Sequence, residues 1–441
     1  MASSHRSRPN RRRFLAATAS LTATCAASRQ MFGFQTTSLA SLLPTVGQDR
    51  PKIGCIGVGG QGTYIGHRAR GYGDVVAVCD VRRQNAERAR NEYGGEVEIF
   101  EDYRRLLERD DIQVVTIGTP DHWHTAPAIA AVEAGKHVYC EKPLTLTIDE
   151  GKRLVEAVKK SGRTFQVGTM QRTDMLQFAR AVATARSGQL GKLTRIDVVL
   201  PGPAPAGGPF AKRDVPEGLN WDFWQGQTPE VDYIPERFEQ FRWWFEYSGG
   251  MMTDWGAHYV DIAHWALGIE DSGPTEIDGS RTRLPEVADG FNTPTDYDVD
   301  LKYGDVLVKI TSGGDHGVLI TGDKGRIFVD RGRLTGKPIE MQEADASLKE
   351  PVMKASEALF HGNTAKLGDH MGNFFEAWQK GLPVVSDVVG QHRVVSACHL
   401  ANISIRLGRK IVWDPVAEAI VGDDQAQAML ARPQRAPYAI G

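Results

Sequence analysis

Residues 52–62 read Lys-Ile-Gly-Cys-Ile-Gly-Val-Gly-Gly-Gln-Gly, a short apolar run that closes on Gly-x-Gly-x-x-Gly. A helix-compatible stretch follows to about Gly71, and then a second apolar run, Val75 to Cys79, ends on Asp80. Each part of this pattern has a physical task. Gly57 permits a tight turn after the strand, Gly59 lets the backbone approach a pyrophosphate that a Cβ would strike, and Gly62 lets the helix pack close to the strand. Gly60 and Gln61 open a helix whose first N–H groups have no partner within the helix and suit an anion. Asp80 falls where a carboxylate reaches the hydroxyl pair of a ribose. The order strand, glycines, helix, strand, acid predicts a dinucleotide site. Asp80 favours NAD, because a carboxylate repels a 2′-phosphate, while Arg82 and Arg83 leave NADP open.

The alternation continues outward. Glu101 to Arg109 reads as a helix, Gln113 to Gly118 as a buried strand, Ala126 to Ala134 as a helix and Lys136 to Cys140 as a strand. A helix from about Gly151 to Ser161 and a strand from Thr164 to Gly168 complete the series. Strands alternating with helices predict a doubly wound parallel sheet, with ligands at the carboxyl ends of its strands. Two segments lie at such ends: Thr119-Pro120-Asp121-His122-Trp123-His124 and Glu141-Lys142-Pro143. Thr119, Pro120, Glu141 and Lys142 are therefore expected beside the cofactor.

The run TPDHWHTAPAIAAVEAGKHVYCEKPL (119–144) resembles the corresponding run of the Gfo/Idh/MocA family, which includes glucose–fructose oxidoreductase and inositol dehydrogenase. A further match is Gly249-Gly-Met-Met-Thr-Asp254-Trp-Gly-Ala-His258, and the likeness extends from about Lys52 to Pro415. The resemblance implies a Rossmann domain over 51–170 and a substrate-binding and oligomerisation α+β domain over 171–420. The second domain should carry an open, mostly antiparallel sheet whose free face supports dimer or tetramer contacts. Lys142, Asp254 and His258 are implied to line the site beside the nicotinamide, and His124 matches a nearby family position.

In the second half, Lys192 to Leu200 alternates like a half-buried strand. The stretch 201–247 is irregular and rich in Pro, Gly and aromatics, including Trp221, Trp224, Trp243 and Trp244. It reads either as a loop pinned by aromatic packing or as part of a carbohydrate pocket. Asp254, His258 and Asp261 are spaced to share one helix face, with His264 off to one side. Such a face can hold a metal, but no outside ligand cluster accompanies it, so no metal is expected. Asp298 to Thr311 reads as one strand, and the runs either side of Gly322-Asp-Lys-Gly325 read as a hairpin. Residues 340–355 read as an exposed loop, and two helices follow, the last capped by Gly408. The tail after Pro415 suggests nothing.

The chain has 441 residues, 41% of them hydrophobic, enough for two domains. No apolar run outside the N-terminus reaches the roughly 18 residues of a membrane span, so no stable membrane insertion is expected. Residues 1–45 read as an export address and linker. Arg11-Arg12-Arg13-Phe14-Leu15 fits the twin-arginine pattern, with Asn10 where Ser or Thr is usual, and a weakly apolar run follows. The expected location is periplasmic or otherwise exported. Without residues 1–30, Lys plus Arg falls from 52 to 46 against 55 acids, a net charge near −9. An acidic surface speaks against nucleic acid as a partner. Cys55, Cys79, Cys140 and Cys398 show no metal-type spacing, and three sit in strand-like runs as small buried hydrophobes.

The implied reaction is hydride transfer between a sugar or cyclitol hydroxyl and the nicotinamide. His258 is the expected base, Asp254 the group that orients it, and Lys142 the donor to the substrate oxygen. A protein exported already folded carries its cofactor with it, which predicts tight retention. Two alternatives stay open: a glycosidase or lyase that oxidises a glycoside transiently, and a sugar-binding protein without catalysis.

Overall fold

The computed structural model describes residues 50–94, 96–361 and 368–440. The export address over 1–45 lies outside the described residues. Strands β1 (Lys52–Ile56), β2 (Asp74–Cys79), β3 (Glu98–Phe100), β4 (Ile112–Ile117), β5 (His137–Cys140) and β6 (Phe165–Val167) form one sheet. Its order is β3-β2-β1-β4-β5-β6, and every pairing is parallel. These strands are near-continuous apolar runs because both faces are covered. Val114 and Tyr139 pack into one core, and Val115, Val138 and Cys140 pack into the other.

The sheet reverses its order between β1 and β4, which opens a crevice at the carboxyl ends of those strands. The helix Gly60–Ala69 starts in that crevice. The sequence reading passed over the helix Arg83–Tyr93 and strand β3, which complete this half. That helix is strongly polar and buries only three small or slender contacts, Ala86, Ala89 and Tyr93.

The second sheet has nine strands. They are β7 (Leu193–Leu200), β8 (Glu276–Asp278), β9 (Asp298–Tyr303), β10 (Val306–Ser312), β11 (Gly317–Gly322), β12 (Gly325–Val329), β13 (Leu334–Thr335), β14 (Ile411–Asp414) and β15 (Ala419–Ile420). The order is β13-β12-β11-β7-β10-β9-β8-β14-β15, antiparallel throughout except where β7 meets β10. On β9, Val299, Leu301 and Tyr303 face the helices, while Asp298, Asp300 and Lys302 face away. That outward face is laced with ion pairs, such as Arg281 with Asp298 and Asp300.

Two expectations change. Asp298 to Thr311 is not one strand but the hairpin β9–β10, folded back at Gly304, whose φ of 58° few other residues adopt. Residues 340–355 are not a loop but parts of the helices Lys337–Ala344 and Lys349–Leu359. Ile339, Gln342, Val352 and Leu359 are buried, so these helices carry an apolar stripe interrupted by one satisfied polar residue. The tail is also structured. It contributes β15 and the helix Asp424–Ala428, and then runs back to the aromatic stretch, where Tyr438 meets Asp222 and Phe223.

Residues beyond the second sheet also serve the first. Met371, Phe374 and Phe375 of the helix His370–Lys380 complete one core of the parallel sheet. Val388 and Val395 of the helix Val388–Leu407 complete the other. The four cysteines of the described residues are unpaired and buried. Among the described residues no helix is long and apolar enough to cross a membrane.

Candidate active site

A cleft of about 660 Å³ runs from the glycine turn to the helix Gly256–Leu267. Gly57 turns the chain at a φ of 73°, and a Cβ there would lie 2.5 Å from Thr119 N. A Cβ on Gly62 would lie 1.7 Å from Gly57 O, so this glycine seats the helix on the strand beneath the cleft rather than lining it. A Cβ on Gly59 or Gly60 would meet no protein atom within 4 Å, because both face the cleft. That open cradle, at the start of a helix with no acid in its first turn, is what a pyrophosphate needs.

Asp80 ends β2 and is held in place by three donors. Its carboxylate accepts from Val58 N at 3.0 Å, Arg82 N at 2.8 Å and Asn85 Nδ2 at 3.3 Å. Burial nevertheless pushes its pKa up to about 6. The Arg82 guanidinium lies over the Phe238 ring, 5.3 Å from its centre. Arg88, unmarked in the sequence, donates to Val58 O at 3.2 Å and lines the same end.

The ends of β4 and β5 supply the next layer. His124 lies between two carbonyls, with Nδ1 2.6 Å from Pro143 O and Nε2 3.0 Å from Thr119 O. It braces the two loops against each other, and burial holds its pKa below the ordinary imidazole value. Thr119 Oγ1 donates to Trp123 O at 3.0 Å. Gln61 Nε2 donates to Glu141 Oε1 at 3.0 Å, which ties the glycine helix to the Glu-Lys-Pro segment. Burial raises the pKa of Glu141 against the pull of that bond and of Lys142. Thr119, Pro120, His124, Glu141 and Lys142 all line the cleft.

The reacting end joins distant parts of the chain. Lys142 donates to the Asp254 carboxylate and, at 3.1 Å, to the Asp254 carbonyl. His258 is one turn further along and lines the same cleft as Lys142. Asp254 does not orient His258, contrary to the expectation from helical spacing. The helix pauses at Trp255, and the carboxylate faces Lys142 instead, with Arg242 Nε 3.6 Å away. Burial would raise the pKa of Asp254, but Lys142 and Arg242 outweigh it and bring it to about 2. Burial, then Lys142 and Arg331, hold His258 well below the ordinary imidazole range, so it is neutral. Its Nδ1 is buried with no hydrogen-bond partner among the described residues. Asp261 takes no part. It accepts from Arg172 and Gln391 in a fully buried network. His264 Nε2 lies 2.6 Å from the Tyr303 hydroxyl. Among the described residues no three such side chains are arranged to hold a metal.

The aromatic stretch mostly packs. Trp221 and Trp224 stack at 4.8 Å in a cluster with Tyr233, Trp244 and Tyr247, and of the four tryptophans only Trp224 reaches the cleft. What sequence reasoning missed is how this stretch docks. Arg83 N donates to Gly218 O at 2.8 Å and Asn220 N to Val81 O at 2.9 Å, so the segment pairs with the loop beyond Asp80. The C-terminal tail then pins it. Tyr438 stacks on Phe223 at 5.5 Å and donates to Asp222 Oδ2 at 2.6 Å.

The residues present fit a dinucleotide: an open glycine cradle, an acid at the end of β2 and an unpartnered buried imidazole nitrogen at the far end. Residues 52–169 match the oxidoreductase family with an NAD-binding Rossmann fold, GFO_IDH_MocA. Residues 208–361 match the C-terminal alpha/beta domain of that family. A myo-inositol 2-dehydrogenase of Thermotoga maritima is 26% identical over 302 residues, 67% of this chain and 79% of that protein. A glycosyl hydrolase family 109 protein of Shewanella is 36% identical over 174 residues, 35% of this chain and 38% of that protein. The WlbA dehydrogenase of Chromobacterium, solved with NADH and UDP-GlcNAcA, superposes with a TM-score of 0.62 at 16% identity, covering 85% of this chain and 99% of that one. The likeness to WlbA is one of fold.

Proposed function

The chain belongs to the Gfo/Idh/MocA oxidoreductase family and carries its NAD-binding Rossmann domain; on that premise we propose that it oxidises, or in reverse reduces, a hydroxyl-bearing carbon of a sugar or cyclitol. The observation that carries this reading is the convergence of Lys142 and His258 on one cleft with the glycine turn. The nicotinamide, when bound, takes or returns the two electrons of the oxidation. Asp80 supports NAD over NADP, since its carboxylate would repel a 2′-phosphate. Arg82, laid over Phe238 at the same end, keeps NADP open.

The protein's own groups move and hold the proton. His258 is the imidazole at the reacting end and takes the hydroxyl proton as the carbon is oxidised. Lys142 donates a hydrogen bond to the same oxygen and stabilises its developing negative charge. Asp254 anchors Lys142, so its effect on the reaction passes through that ammonium. Gln61, Glu141 and His124 hold the strand-end loops that carry Lys142.

The likeness to the family 109 glycosyl hydrolase supports a second reading, in which a glycoside is oxidised transiently and cleaved with the cofactor returned unchanged. We also propose twin-arginine export, on the basic head at Arg11–Arg13, and a dimer or tetramer. Export of a folded, loaded protein implies a retained cofactor, which native mass spectrometry of the purified protein would detect.

One experiment tests the core reading. The NAD-loaded protein is incubated with inositols, hexoses and aryl glycosides while absorbance at the reduced-nicotinamide band and product masses are followed. A dehydrogenase yields a ketone and reduced cofactor, and the second reading yields free aglycone with NAD unchanged. Absence of turnover on the whole panel, or turnover unaltered by Lys142→Met, overturns the oxidoreductase mechanism.

A further inference from the structure

The reacting end of the cleft holds more positive charge than the proposed chemistry consumes. Three cations line it: Lys142, Arg242 and Arg331. Among the described residues one carboxylate pairs with any of them at ion-pair distance. Asp254 is bonded to Lys142 and stands 3.6 Å from Arg242 Nε. Glu141 and Asp121 feel Arg242 at longer range but spend their hydrogen bonds elsewhere. Glu141 accepts from Gln61, and Asp121 accepts from the Ser248 hydroxyl at 2.5 Å. His258 adds no charge of either sign.

Arg331 is left over. It sits in the turn after β12, and its guanidinium carbon lies 4.2 Å from the centre of the Trp255 ring. Its neighbour Asp330 is already engaged, accepting from Gly332 N at 2.7 Å, Arg333 N at 2.8 Å and Arg333 Nε at 2.9 Å. Gln177 Nε2 donates to the Arg331 carbonyl at 2.8 Å and steadies the turn. Among the described residues no carboxylate lies within ion-pair distance of the Arg331 guanidinium, which is desolvated enough to hold its pKa below the usual arginine value. A planar cation laid on an aromatic face, with its fork of N–H donors unspent, is the arrangement that binds a carboxylate or phosphate in two-pronged fashion. A neutral polyol could accept from those donors but would bring no charge to pair with the guanidinium.

We infer that the substrate is an anionic sugar, bearing a carboxylate or a phosphate that Arg331 grips, with Arg242 as the second cation. This rests on the oxidoreductase reading and adds the substrate's charge to it. Arg331 is a specificity residue: it touches the anion and not the carbon that reacts.

The test compares matched ligands by calorimetry on the NADH-loaded protein. The pairs are glucuronate with glucose, galacturonate with galactose, and glucose 6-phosphate with glucose. At least one anionic sugar is expected to bind ten-fold or more tightly than its neutral partner, and the pair that shows it separates carboxylate from phosphate. Arg331→Gln is expected to bring that ratio to within two-fold of unity, with NADH affinity as the check on folding. Equal affinities across every pair, or a preference that survives Arg331→Gln, overturn the inference. The two readings fail separately. Neutral polyols oxidised with no preference for anions would sink the inference alone. An Arg331-dependent preference without any redox or cleavage chemistry would sink the oxidoreductase reading alone.

Discussion

The two ends of the cleft are built on opposite plans. The nucleotide end is backbone and local sequence: Gly57, Gly59, Gly62 and Asp80 fall within one strand–turn–helix–strand unit, and their tasks follow from missing Cβ atoms and one carboxylate. The reacting end is side chains from remote segments: Lys142 meets Asp254 across 112 residues of chain, and Arg331 arrives from the second sheet. The first kind of site is legible one motif at a time. The second exists only after the chain has folded, and its members change partners when the backbone shifts by a fraction of a turn. The contrast also separates their effects. Changes at the nucleotide end should move cofactor affinity, and changes at the reacting end should move turnover.

The sharpest break of this comparison is Lys142→Met. Turnover is expected to fall about 10³-fold, in line with removal of a preorganised donor to a developing oxyanion, while the NADH dissociation constant changes less than about two-fold. Stopped-flow turnover and fluorescence titration of the same preparation measure both, and a loss of NADH binding would merge the two ends into one. Asp254→Asn comes next. Because the carboxylate anchors Lys142 and not His258, turnover should drop by about ten-fold, and the effect should vanish in a Lys142→Met background, as expected for groups acting as a unit. Independent, multiplicative losses would return Asp254 to His258.

At the other end, Gly62→Ala places a Cβ against the Gly57 carbonyl. It should cost at least the roughly 1–3 kcal/mol of ordinary overpacking, seen as a lowered melting temperature, and should weaken NADH binding. Asp80→Asn should narrow the preference for NAD over NADP by several-fold, with turnover at saturating cofactor little altered. The smallest effect is on pH. Burial raises Asp80 to about 6, so its carboxyl is ionised above that pH and takes up a proton below it. The neutral form is a poorer acceptor for ribose hydroxyls. NADH affinity should therefore weaken a few-fold as pH falls from 8 to 5, and Asp80→Asn should abolish the slope.

Much of the first half was readable because its elements are set by short-range signals. The apolar runs of β1, β2, β4, β5 and β6, the glycine pattern and the strand-end segments all needed only neighbours in sequence. The helix Arg83–Tyr93 escaped because its face toward the sheet is so narrow. The helices Lys337–Ala344 and Lys349–Leu359 escaped for a related reason: their buried residues have meaning only against β12 for the first and against the helix Leu176–Arg186 for the second. At the site, Lys142, His258, Glu141 and His124 were found through short motifs, whereas Arg88 and Arg331 lie in no motif. The tail's Tyr438 could not be read at all, since its partners Asp222 and Phe223 lie more than two hundred residues earlier.

The sequence alone determined the Rossmann half and the dinucleotide cradle, and it singled out Lys142 and His258, which the fold brings to one cleft. Those follow from steric freedom at single glycines and from periodicities that repeat within a few residues. Tertiary structure alone decided which side chain faces which: that Asp254 serves Lys142 and not His258, that the tryptophans pack more than they recognise, and that Arg331 stands at the cleft without a carboxylate among the described residues. Charge pairing depends on distances of a few ångströms between segments far apart in the chain, and no local pattern encodes such distances.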